Sequence, residues 1–142
     1  MSGPVVLGYD GSPESVAALP VAVDLARLHG TTLAVVFGYE PPRAGGEVGA
    51  LRGEIAKVGE EVVAEATSRI SELAPDLPVE VELVQDRPIA AVVRLADALD
   101  AAFVVVGHRQ RSLLAEMFVG SVLEGVMAAT TRPVVVVQAP EG

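Results

Sequence analysis

Five short apolar runs, separated by stretches of helical period, constrain this chain more than any other feature. The runs are Val5–Leu7, Leu33–Phe37, Val79–Val84, Phe103–Val106 and Val134–Val137. Most are unbroken and rich in Val, the pattern of strands buried on both faces of a parallel sheet. The third alternates as Val79-Glu80-Val81-Glu82-Leu83. It is expected at a sheet edge with one wet face. Between the runs, residues 13–29, 48–73, 88–99 and 120–130 space apolar residues by threes and fours, as helices do. The first opens with Ser12 as N-cap and Pro13 at the first helical position, and Gly30 ends it. Its apolar stripe is Val16, Leu19, Val23, Leu25 and Ala26, and Pro20 inside it is expected to bend it. The second carries Leu51, Ile55, Val58, Val62, Ala66, Ile70 and Leu73 as its stripe, with Glu54, Glu60, Glu61 and Glu65 as its wet face. The third begins at Pro88 and turns Ile89, Val92, Val93, Leu95, Ala96 and Leu99 inward; the last does so with Val122, Leu123, Val126 and Met127. Strands alternating with helices predict one doubly wound α/β domain over residues 1–142, with right-handed crossovers and helices on both faces of the sheet.

Composition narrows the chemistry. The formal net charge is −9, which argues against a broad nucleic-acid or anionic-membrane face. With no Cys, thiolate metal sites, Fe–S clusters, disulfides and Cys nucleophiles are excluded. His29 and His108 are the only histidines, too few for a multi-His metal site. No basic apolar leader and no long apolar stretch is legible, so a cytoplasmic protein is expected. The segment Tyr39–Gly46 reads as a loop by composition, either a solvent-exposed connection or a flap over a ligand.

Ligands of open α/β sheets bind beyond the carboxyl ends of the strands. Here those ends are Asp10-Gly11-Ser12, Phe37-Gly38-Tyr39, Gln85-Asp86-Arg87-Pro88 and Gly107-His108-Arg109. A P-loop, a dinucleotide fingerprint after the first strand and a nucleophile elbow are all missing from the sequence. The receiver-domain reading fails because the only Lys, Lys57, lies in a helical stretch. What remains is Gly107 to Ser112, then Leu113 to Val119, then Gly120-Ser121 opening a helix. Free N–H groups at a helix start, the Ser121 hydroxyl and the guanidinium groups of Arg109 and Arg111 together suit a phosphate. His108 reads as an exposed loop residue with no legible nucleophile beside it, and His29 as a structural residue at a helix end.

The chain resembles the universal stress protein family over nearly its whole length. The resemblance is carried by Val5 to Ser15, by the second strand leading into Glu40-Pro41-Pro42, by Asp97 to Gly107, and by Gly120-Ser121 through Arg132-Pro133 to Val137. The ATP-binding branch has G-x2-G-x9-G-[ST] after the fourth strand. Gly107, Gly120 and Ser121 match it at the right spacing, while Gln110 stands in place of the second Gly. The resemblance implies a five-stranded parallel sheet of order 3-2-1-4-5 and a homodimer, here through the edge strand Val134–Val137. It also implies a role in the stress response. It implies ATP, with or without Mg, as ligand: adenine and ribose near Asp10, Gly11, Ser12, Phe37 and Gly38, phosphates on Gly107, Arg109, Gln110, Arg111, Ser112, Gly120 and Ser121. Asp86, where the family often has Gly, would bring a negative charge near that site. Two functions stay open. One is an ATP-binding regulator with at most slow ATPase activity and no catalytic residue of its own. The other is a dimeric stress protein that acts through protein contacts without nucleotide.

Overall fold

The computed structural model describes residues 3–39, 48–86, 88–109 and 122–139. In chain order the elements are β1 (Val5–Gly8), α1 (Pro13–Leu28), β2 (Leu33–Tyr39), α2 (Val48–Leu73), β3 (Val79–Gln85), α3 (Pro88–Ala98), β4 (Phe103–Arg109), α4 (Val122–Ala129) and β5 (Val134–Ala139). The five strands form one sheet of order β3-β2-β1-β4-β5, and every pairing is parallel. The expected architecture and strand order are therefore both present.

The alternation of side chains along each strand sorts the core into two layers. Val5 and Leu7 of β1, Leu33 and Val35 of β2 and Val105 of β4 pack with Leu19, Ala22, Val23 and Ala26 of α1 and Ala66 and Ile70 of α2. Val6, Ala34, Val36, Val104 and Val106 face the other way, onto Ala91, Val92 and Ala96 of α3 and Val126 of α4. Val5, Val6 and Leu7 have no solvent exposure, so each contributes roughly 1.5–3 kcal/mol of apolar burial. That explains why β1 is apolar at consecutive positions. β3 lies at an edge and exposes Glu80 and Glu82, as its alternation predicts.

Three expectations need correction. Val58 and Leu73 of α2 are about half exposed, not core. The helix nears the sheet at Gly59, where an added Cβ would meet Phe37 and Leu83. The buried stripe thus runs Gly59, Val62, Ala66 and Ile70, one position round from Val58. Met127 is likewise 59% exposed, because Val126 takes the inward position on α4. The third concerns β4. It continues through Gly107, His108 and Arg109 instead of breaking into a loop after Val106. The cause is β5, which pairs Gly107 with Val137, His108 with Gln138 and Arg109 with Ala139, so the ladder overrides the loop-like composition. The chain is helical without interruption through Pro20, and His29 caps α1 with Gly30 (φ +60°) turning the chain away. His29 also stacks against Phe103, with ring centroids 5.0 Å apart, which fits its structural role. The expected Tyr39–Gly46 loop from residue 40 onward, and residues 120 and 121 of the expected last helix, lie outside the described residues.

Candidate functional site

β1 delivers Asp10 to the carboxyl edge of the sheet, and the next residues form a hydrogen-bonded turn into α1. The Ser12 N–H donates to Asp10 Oδ1 at 2.9 Å, an Asx turn. Gly11 holds the left-handed backbone this needs, with φ of +83°. Ser12 is the N-cap: its Oγ accepts from the Ser15 N–H at 3.3 Å, and its carbonyl takes the first helical bond from Val16. Ser15 is buried, and its Oγ donates to the Ser12 carbonyl at 3.0 Å. The Ser12/Ser15 spacing carried the signal for this second serine, although only Ser12 was singled out from sequence. Asp10 itself stays exposed.

The neighbouring strand ends meet this turn. Tyr9 N–H bonds the Val36 carbonyl at 3.0 Å, which places Phe37 and Gly38, both half-buried, beside the start of the Asp10 turn. On the other side, Gly107 abuts the first turn of α1: a Cβ there would fall on the Glu14 carbonyl and crowd the Ser15 nitrogen. Gly107 is thus required for packing, a reason that does not depend on a phosphate. His108, the next residue, is a half-buried strand residue. Asp86 bonds Arg94 of α3 at 2.7 Å, so its negative charge is balanced.

The structure therefore gathers Asp10, Gly11, Ser12, Phe37, Gly38 and Gly107 at one edge, with the backbone of Arg109 two residues past Gly107. Gln110, Arg111, Ser112, Gly120 and Ser121 lie outside the described residues. What is described can be tested against a nucleotide. Asp10 offers an exposed carboxylate that uses Oδ1 in the turn. Glu14, on the first turn of α1, has a buried Oε2 with no hydrogen-bond partner among the described residues. Both carboxylates are hydrogen-bond acceptors, a chemistry that suits sugar hydroxyls and not phosphate oxygens. Among the described residues no group of three acidic or His side chains suits a metal ion.

Beyond the expected residues, sequence reading missed Tyr9. It is 3% exposed, and its hydroxyl donates to Glu65 Oε1 of α2 at 3.0 Å. Arg69 donates to the same oxygen at 3.1 Å. Burial, followed by the bond to Glu65, pushes the Tyr9 phenol up to about 12. The bonds from Tyr9 and Arg69 hold the Glu65 carboxyl below its ordinary range.

At the opposite end of the sheet a cleft of about 400 Å³ opens between the C-terminal ends of α1 and α2, lined by Arg27, Thr31, Thr32, Leu73, Asp76 and Pro78 among others. No helix among the described residues is long and apolar enough to cross a membrane.

The family model for the universal stress protein family matches residues 1–138. A universal stress protein of Mycobacterium tuberculosis is 35% identical over 133 residues, covering 94% of this chain and 44% of its own length. The chain thus spans less than half the length of that relative. A solved universal stress protein of Archaeoglobus fulgidus is 28% identical, with a TM-score of 0.77 over 96% of this chain and 98% of its own. Another, solved in complex with cAMP, is 26% identical, with a TM-score of 0.71 over 97% and 98%.

Proposed function

This chain belongs to the universal stress protein family, and on that premise we propose that it binds an adenine nucleotide, ATP, at the carboxyl edge of its sheet as a regulator in the stress response. The observation that carries the reading is the Asp10 turn. It presents an exposed carboxylate, fixed by its own backbone bond, beside the ends of β2 and β4. A relative solved with cAMP supports the nucleotide class. On this reading the Asp10 carboxylate accepts from ribose hydroxyls, and Phe37 and Gly38 flank the base. The phosphates lie toward Gly107, Arg109, Gln110, Arg111, Ser112, Gly120 and Ser121. Mg enters, if at all, on the phosphates. On this reading residues 1–142 form one universal stress protein domain that works in the cytoplasm, with at most slow ATPase activity.

Gln110 is the departure to test. A side chain in place of Gly costs on the order of 1 kcal/mol where the backbone must be left-handed. A micromolar site is worth roughly 8 kcal/mol. Gln110 is therefore expected to weaken ATP, not to forbid it. Calorimetric titration with Mg-ATP should show Gln110→Gly binding more tightly than wild type. No heat from either protein at millimolar ATP would defeat the reading.

A second reading rests on β5. Val134–Val137 are wholly apolar, lie at a sheet edge and are only half-buried. An uncovered apolar edge is an aggregation hazard, and pairing with the same strand of a second copy would satisfy it. A homodimer through Val134–Val137 accompanies either function. Without nucleotide, it becomes the route by which the protein acts through protein contacts. Light scattering of wild type and Val135→Lys tests the dimer: the variant should be monomeric or insoluble, and a well-behaved wild-type monomer would count against it.

A further inference from the structure

Tyr9 directly precedes Asp10, yet its side chain leaves the edge and enters the core among α1 and α2. A buried hydroxyl needs a partner, and this one reaches Glu65, 56 residues later in sequence. Because the acceptor is a carboxylate, the bond is stronger than one between neutral groups. One helical turn before Glu65, Val62 lies over the Asp10 turn: both its γ carbons would stand 3.8 Å from a Cβ at Gly11. The bond from Tyr9 thus ties α2 to the end of β1 just where the chain turns away from the sheet. Arg69, on the next turn of α2, holds Glu65 in place.

We propose that Tyr9 and Glu65 are positioning residues for the ligand site: their bond sets α2 over Gly11 and so fixes the Asp10 carboxylate in the orientation that receives a nucleotide. The inference rests on the nucleotide reading, since Asp10 is its point of action. It also assigns a role to one of the four glutamates that sequence reading placed together on a wet face. Glu65 is exposed like the others, but among the described residues it is the one of the four seen to hold the Tyr9 side chain, just past the end of β1. The Tyr9 phenol, pushed up to about 12, stays protonated and therefore a donor well beyond the physiological range.

Tyr9→Phe removes the hydroxyl and keeps the ring. Glu65 retains Arg69 and water, so no buried charge is stranded. A purely structural staple would lower the melting temperature and leave the affinity of the folded protein unchanged. The experiment is calorimetric titration with Mg-ATP, well below the melting temperature, together with amide hydrogen exchange of the ATP-free proteins. Tyr9→Phe should bind about fivefold more weakly, the worth of one lost hydrogen bond. Glu65→Gln keeps an acceptor for the phenol and should bind more tightly than Tyr9→Phe. In an Asp10→Ala background the Tyr9 change should have no further effect. Without ATP, the Ser12 N–H bonded to Asp10 should exchange faster in Tyr9→Phe than in wild type. Unchanged affinity together with unchanged Ser12 exchange overturns the proposal. If wild type binds no ATP, the nucleotide reading falls, and Ser12 exchange alone decides the positioning role: faster exchange supports it and equal exchange overturns it.

Discussion

At the carboxyl ends of the strands the chain presents the N-terminus of α1, a capped turn with an exposed Asp10, and close backbone contact at Gly107. At the amino ends it presents the C-termini of α1 and α2, with a cleft of about 400 Å³ between them. The cleft is a poor anion site. Helix C-termini carry a partial negative charge, and Asp76 adds a full one. Arg27 faces both. The carboxyl edge holds the positive end of α1, and the exposed Asp10 carboxylate beside it can accept from hydroxyl groups. The difference teaches that a parallel α/β sheet assigns charge to its two ends by topology, before any side chain is chosen.

The sharpest way to break this contrast is at Gly107. If it serves packing, Gly107→Ala drives a Cβ onto the Glu14 carbonyl, a backbone atom of α1. A loss of about 2–4 kcal/mol by chemical denaturation is expected. Wild-type stability with lost nucleotide binding would instead make Gly107 a ligand residue alone. A smaller effect sharpens the role of Tyr9. Its folded-state pKa of about 12 lies above the ordinary value of about 10. The folded protein therefore holds a proton that the unfolded chain releases. The stability this confers is present below pH 10 and is lost as pH rises toward 12. Denaturation curves across that window should fall more steeply for wild type than for Tyr9→Phe. Least of all should come from the other end. Arg27→Ala should leave ATP affinity unchanged and stability within about 0.5 kcal/mol. A clear loss of affinity would move the site to the cleft.

Much of this was legible in the sequence because it is local or periodic. The Val runs, the three-and-four spacing and the Asp10-Gly11-Ser12-Pro13 turn each carry their own signal. What escaped is what only the third dimension brings together. Nothing in the Gly107 neighbourhood announces that Glu14 will lie against it. Nothing near Tyr9 announces Glu65, which reads as one more solvated acid on α2. His108 and Arg109 look like loop residues until β5 pairs with them. Asp86 looked like an obstacle to phosphate until Arg94, eight residues on, proved to hold it.

The most direct test of the account follows backbone amide shifts in a nuclear magnetic resonance titration of the protein with Mg-ATP. The account predicts the largest changes at Asp10, Gly11, Ser12, Phe37, Gly38 and Gly107, with Ala26 to Thr32 and Leu73 to Leu77 unmoved. Shifts centred on the cleft residues, or none anywhere at millimolar ATP, would contradict it.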